Sequence, residues 1–97
     1  MSAQLNLVKT ALIAMKAELA AKFHVNSIGL FGSIVRDDFT STSDIDIIVE
    51  FSQPIGIEFV ELADLFEQKL NRHVDLVSRN GIKDRYFKAI EAEIVYV

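Results

Sequence analysis

The chain has 97 residues, 51% of them apolar and 25% charged, with a formal net charge of −4 and no cysteine. That balance reads as globular rather than disordered, allows one small core, and excludes disulfides, thiolate metal sites and a cysteine nucleophile. An acidic chain with no block of basic residues is also ill suited to hold a long nucleic-acid strand, because such affinity rests on Lys and Arg neutralising phosphates.

No apolar run approaches the roughly 20 residues that span a bilayer, and Ala11–Met15 is bracketed by Lys9 and Lys16, which fails as a signal-peptide core. The expectation is a single cytoplasmic domain over residues 1–97 with no membrane association. Residues 3–22 set Leu5, Val8, Leu12, Met15 and Leu19 at spacings of three and four, the stripe of an amphipathic helix. The stripe faces the core, a partner interface being the alternative. Residues 27–32 form a short buried-strand candidate ended by Gly32-Ser33, residues 33–37 can make a helical turn, and residues 38–43 are a polar loop without periodicity. Residues 45–51, rich in Ile and Val, are the strongest strand, and Pro54 ends the extended run because proline cannot donate to a ladder.

Residues 57–70 carry Phe59, Leu62, Leu65, Phe66 and Leu70 at helical spacing, with Glu58 and Glu61 early and Lys69 late, as the helix dipole favours. Asn71 is a helix stop. Residues 73–77 read as a strand, Asn80-Gly81 as a turn, residues 83–91 as a helix and residues 94–97 as a last strand. This order predicts an α/β (α+β) domain, a small mixed sheet with helices packed on it.

The chemistry-bearing pattern is Gly32-Ser33, ten residues, then Asp44-Ile45-Asp46. Residues i and i+2 of a strand point the same way, so two carboxylates would project side by side. At about 4 Å such a pair repels by roughly 4 kcal/mol at an effective dielectric near 20, and a hard divalent cation between them relieves this. Asp75, alternating with Val74 and Leu76, adds a third acid if its strand lies beside the Asp44–Asp46 strand. Three carboxylates suit a two-ion site, one ion lowering the pKa of an attacking hydroxyl and the other neutralising a triphosphate. Gly32 lets backbone approach phosphate closely, and Ser33 offers its N–H and hydroxyl at a helix start. Arg36, one turn on, can reach the same phosphates, though it could equally pair with Asp37 or Asp38. An EF-hand is excluded: Ile48 falls on a ligand position and the loop glycine is missing.

Taken in order and in strand context, Gly32-Ser33-x10-Asp44-x-Asp46, with Arg36 in the spacer and Asp75 on a later strand, resembles the polymerase-β-type nucleotidyltransferase superfamily. The shortness of the chain resembles the minimal nucleotidyltransferases, the antitoxin halves of HEPN–nucleotidyltransferase toxin–antitoxin pairs. The resemblance implies the nucleotidyltransferase fold, with Asp44, Asp46 and Asp75 as the catalytic residues holding two Mg²⁺ and Gly32 and Ser33 binding the triphosphate of ATP. It implies transfer of AMP to a tyrosine hydroxyl of a cognate HEPN toxin, an RNase, and a hetero-oligomer with that toxin, a homodimer being the alternative for the chain alone. Two other functions compete: a non-catalytic antitoxin that occludes its toxin, and nucleotidyl transfer to a small molecule or an RNA end. One departure is Asp37, where relatives often carry glycine after the arginine; Asp37 and Asp38 are expected to point to solvent. His24 and His73 read as ordinary polar groups, Tyr86 and Tyr96 as packed against the last helix and strand, and Asp64 and Glu67 as a solvated helix face.

Overall fold

The structure, a computed structural model, describes residues 3–97. Helix α1 (Ala3–Phe23) buries Leu5, Leu12, Met15 and Leu19, the stripe set by its sequence spacing. It ends at His24, which takes a left-handed conformation (φ 57°). The His24 carbonyl accepts the Ser52 N–H at 2.8 Å and the Ser52 hydroxyl at 3.2 Å. That contact ties the start of β1 (Val25–Phe31) to the end of β2 (Ile45–Phe51). β1 begins two residues before its expected start, at Val25 opposite Phe51, and the ladder slips before it resumes at Ser27.

Between the two strands lies α2 (Ser33–Arg36), a single turn stopped by Asp37 in the left-handed region (φ 70°). Helix α3 (Glu58–Leu70) follows β2 and ends at Asn71 (φ 54°), whose N–H donates to the Glu67 carbonyl at 2.9 Å. β3 (Val74–Ser78) then runs parallel to β2, as a strand reached through a crossover helix can. The segment expected to be one last helix is divided into α4 (Asp84–Ile90) and a 3-10 helix (Glu91–Glu93). β4 (Val95–Tyr96) closes the sheet edge against β1.

The sheet order is β3-β2-β1-β4, with β1 antiparallel to both neighbours. This is the mixed sheet with packed helices that the element order predicts. One face, lined by Ile28, Leu30, Ile45, Ile47, Val49 and Leu76, packs in one apolar cluster with Leu12, Leu19, Leu62 and Phe66 of α1 and α3. Phe31 and Ile48 are also buried but lie outside that cluster. They belong to the second face, which the C-terminal segment approaches: a Cβ on Gly29 would meet Ile94 Cγ2 at 2.5 Å and Tyr96 Cδ1 at 3.3 Å.

Two expectations are corrected here. Glu67 is not on a fully solvated face: its Oε2 accepts the Val74 N–H at 3.0 Å, because Val74, paired with Ile45, turns its N–H to the open edge of the sheet, away from β2. Tyr86 is exposed, and Tyr96 lies against Gly29 yet stays more than half exposed, so Phe87, Ile94 and Val97 share the contact of α4 and β4 with the sheet.

Candidate active site

Strand pairing puts the acids together. Asp46 sits opposite Phe31 in the antiparallel ladder and opposite Asp75 in the parallel one. Being at an even position of β2, it points away from the core, and so does its ladder neighbour. The Asp46 carboxyl is half-buried, and burial is the main reason its pKa rises from 3.8 to about 6. The negative charges of Asp75 and Asp44 push it up further, as does a hydrogen bond with Asp75, whereas Arg36 pulls it down. Asp44 lies one residue before β2 and is exposed. The loop before it is braced by Arg72, whose guanidinium lies 4.4 Å above the Phe39 ring and donates to the Thr40 and Ser43 carbonyls.

The glycine-serine turn meets the same carboxylate. Gly32 has φ +79°, a region that disfavours side chains, and a Cβ there would land on Asp46 Oδ2. Its carbonyl accepts the N–H groups of Val35 (3.0 Å) and Arg36 (3.2 Å), which winds the single turn of α2 with Ser33 first. Arg36 therefore returns over the turn. It pairs with Asp38 at 3.8 Å, as one of its two expected partners, but its shorter contact is with Glu93 at 3.3 Å. Glu93 also accepts the Gly32 N–H at 3.0 Å. No pattern in the sequence singles out Glu93, and only the fold of the C-terminal segment reveals it.

So Gly32, Asp46 and Asp75 are in direct juxtaposition, Arg36 caps the turn, and Asp44 is within electrostatic reach. Among the described residues, no three acidic or imidazole side chains close on one point tightly enough to hold an ion. The donor chemistry nevertheless fits a hard divalent cation. The set is all oxygen, and the negative charges of Asp75 and Asp44, which add to the effect of burial on Asp46, are what such a cation would relieve.

Comparison with known proteins decides the family. The nucleotidyltransferase domain model matches residues 12–97. The chain belongs to that family. Protein adenylyltransferase MntA of Thermococcus cleftensis is 40% identical over 91 residues, covering 93% of this chain and 92% of the relative. A candidate protein adenylyltransferase of Methanocaldococcus jannaschii, MJ0128, is 42% identical over 92 residues, covering 93% and 94%. Among solved structures, a candidate minimal nucleotidyltransferase superposes with TM-score 0.73 at 25% identity, covering 91% of this chain and 93% of that one. A chain of a toxin–antitoxin complex with AMP-PNP superposes with TM-score 0.76 at 25% identity, covering 90% and 69%. The chain is therefore an enzyme of the nucleotidyltransferase class with the corresponding fold, as its motif resemblance implies.

Proposed function

We propose that the chain is an antitoxin that transfers AMP from ATP to a tyrosine hydroxyl of a cognate HEPN-type toxin, in the cytoplasm, and so silences it. The observation that carries this is the packing of Asp46 between Asp75 and Gly32, which brings an acidic pair and the glycine-serine turn together. The adenylyltransferase relatives and the toxin–antitoxin neighbour support the reaction class and the kind of partner.

In the reaction, the tyrosine oxygen forms a bond to the α-phosphorus while the bond from that phosphorus to the pyrophosphate oxygen breaks. Pyrophosphate leaves, and the phenolic proton passes to solvent. Asp44, Asp46 and Asp75 would hold two Mg²⁺, which when bound supply Lewis-acid stabilisation of the phosphates and a more acidic hydroxyl. Gly32 presents bare backbone to the triphosphate, because any side chain there is excluded by Asp46. Ser33 adds its N–H and hydroxyl, and Arg36 a charge-assisted donor. The turn of α2 has only four residues, so its contribution is these local donors rather than a long helix dipole.

The test is incubation with α-labelled ATP, Mg²⁺ and the product of the adjacent gene. Label on a tyrosine of that partner, lost with Asp44→Asn, is the expected result. Tight binding without label in active buffer would leave an occluding antitoxin, and label on RNA or a small molecule would assign a different acceptor.

A further inference from the structure

The turn that carries Ser33 is one helical turn long, and a single turn is not stable by itself because nucleation fixes several residues for one hydrogen bond. Something outside the turn must hold it: Ile34, buried in the core, anchors its middle, and the C-terminal segment holds its two ends. In the β1–β4 ladder Gly29 faces Tyr96 and Leu30 faces Val95. The same register, continued, sets Glu93 across from Gly32. The strand has ended by then: residues 91–93 are a 3-10 helix, and the Ile94 N–H turns back to the Glu91 carbonyl at 3.3 Å. The Glu93 side chain replaces the missing ladder acceptor, taking the Gly32 N–H on Oε1 at 3.0 Å. Gly32 is buried, and its amide left unpaired would carry a desolvation cost.

The same carboxylate reaches the other end of the turn. Arg36 Nη1 donates to Glu93 Oε1 and Oε2, each at 3.3 Å. Glu93 is the more buried partner, its side chain 26% exposed against 52% for Arg36. One carboxylate thus brackets the first and last residues of the Gly32–Arg36 turn across 57 to 61 residues of chain.

We infer that Glu93 is a positioning residue for nucleotide binding, fixing the Gly32 amide and the Arg36 guanidinium so that the turn meets the triphosphate preformed. The inference rests on Gly32, Ser33 and Arg36 binding phosphate. Two variants separate its parts. Glu93→Ala removes both contacts, whereas Glu93→Gln keeps an oxygen acceptor for Gly32 and loses the charge opposite Arg36.

The experiment measures ATP affinity in Mg²⁺ by calorimetry, with melting temperatures and the exchange rate of the Gly32 amide proton, on the full chain. Glu93→Ala is expected to weaken ATP binding about tenfold, the scale of one hydrogen bond to a charged group, with fast exchange at Gly32. Glu93→Gln should weaken it less and keep the amide protected. In an Arg36→Ala background, Glu93→Ala should weaken binding by a smaller factor than it does alone, because half of what it holds is gone. Folded Glu93→Ala binding ATP as tightly as the native chain, or more tightly, overturns the inference. So does a lowered melting temperature with unchanged affinity, which would make the contact structural only. If the native chain itself binds no ATP, the phosphate assignment falls and this inference with it; if the native chain binds and the variants match it, only this inference falls.

Discussion

The two sides of β2 are built on opposite principles. Ile45, Ile47, Val49 and Phe51 point into the core and are all buried, in one apolar cluster with residues of α1 and α3. Asp46 and Glu50 point the other way, around a buried Ile48, and Asp46 is pressed against another carboxylate with burial working against its charge. One side lowers the free energy of the fold and the other raises it. The period of two along a single strand lets seven residues do both. Functional strain here is local, and the apolar side must offset it.

That contrast can be broken most sharply at Asp46. Asp46→Asn keeps the shape and removes the charge. With Asp46 as a metal ligand, as proposed, AMP transfer should fall about 10³-fold or more, because several kcal/mol of metal-assisted stabilisation would be lost and each 1.36 kcal/mol is a factor of ten. Transfer rates with labelled ATP check this, and full transfer by the variant would remove Asp46 from the site. The opposite experiment is on the core side. Phe66 is fully buried in α3, and Phe66→Ala should cost about 3–5 kcal/mol. In a domain of this size that is on the order of 15–30 °C in melting temperature. Below its new melting temperature the variant should retain ATP binding, since the core face does not touch the acids.

The apolar side was the legible one. Residues 45–51 are found as a strand with the expected bounds, because a β-branched run between a polar loop and Pro54 has no competing period. The α3 pattern is equally plain, from Phe59 and Leu62 to the Asn71 stop, and local rules suffice for both. The acidic side was legible only in part. Asp46 and Asp75 could be paired from sequence on the condition that their strands are neighbours, and the parallel ladder meets that condition. Asp44 was expected to project its carboxylate beside that of Asp46; it lies one residue before the strand and is exposed, and Asp75 is the acid that shares a hydrogen bond with Asp46. Glu93 and Glu67 were missed for one shared reason. Each satisfies a backbone N–H from a distant or newly starting strand, and such a need exists only once the chain has folded.

A milder change falls where the two sides meet. Gly32→Ala forces a side chain into the left-handed region and against Asp46, a strain of about 1–3 kcal/mol. A lower melting temperature together with weaker ATP binding is expected, measured by calorimetry on one sample. A stable variant with native affinity would show that the turn and the carboxylate are independent after all.

The smallest effect is in stability against pH, and it has an unusual sign for an acid. Most carboxylates are stabilised in the charged form by folding, so their contribution disappears as pH falls. Asp46 is the reverse. Its folded pKa, about 6, lies above the ordinary value of 3.8, so between those limits the folded state binds more protons than the unfolded chain, and stability falls as pH rises. The penalty is absent near pH 3.8 and complete above pH 6. It is modest because the carboxyl is partly solvated, which screens the charges around it. In metal-free buffer, Asp46→Asn should therefore melt higher than the native chain at pH 7.5, and the gain should vanish as the pH is lowered to 4. A divalent cation should recover part of the same gain in the native chain at pH 7.5 and none in the variant. Melting curves at the two pH values, with and without Mg²⁺, check both statements. A variant no more stable than the native chain at pH 7.5 would mean that the acidic side of β2 carries no strain, and that its chemistry costs the fold nothing.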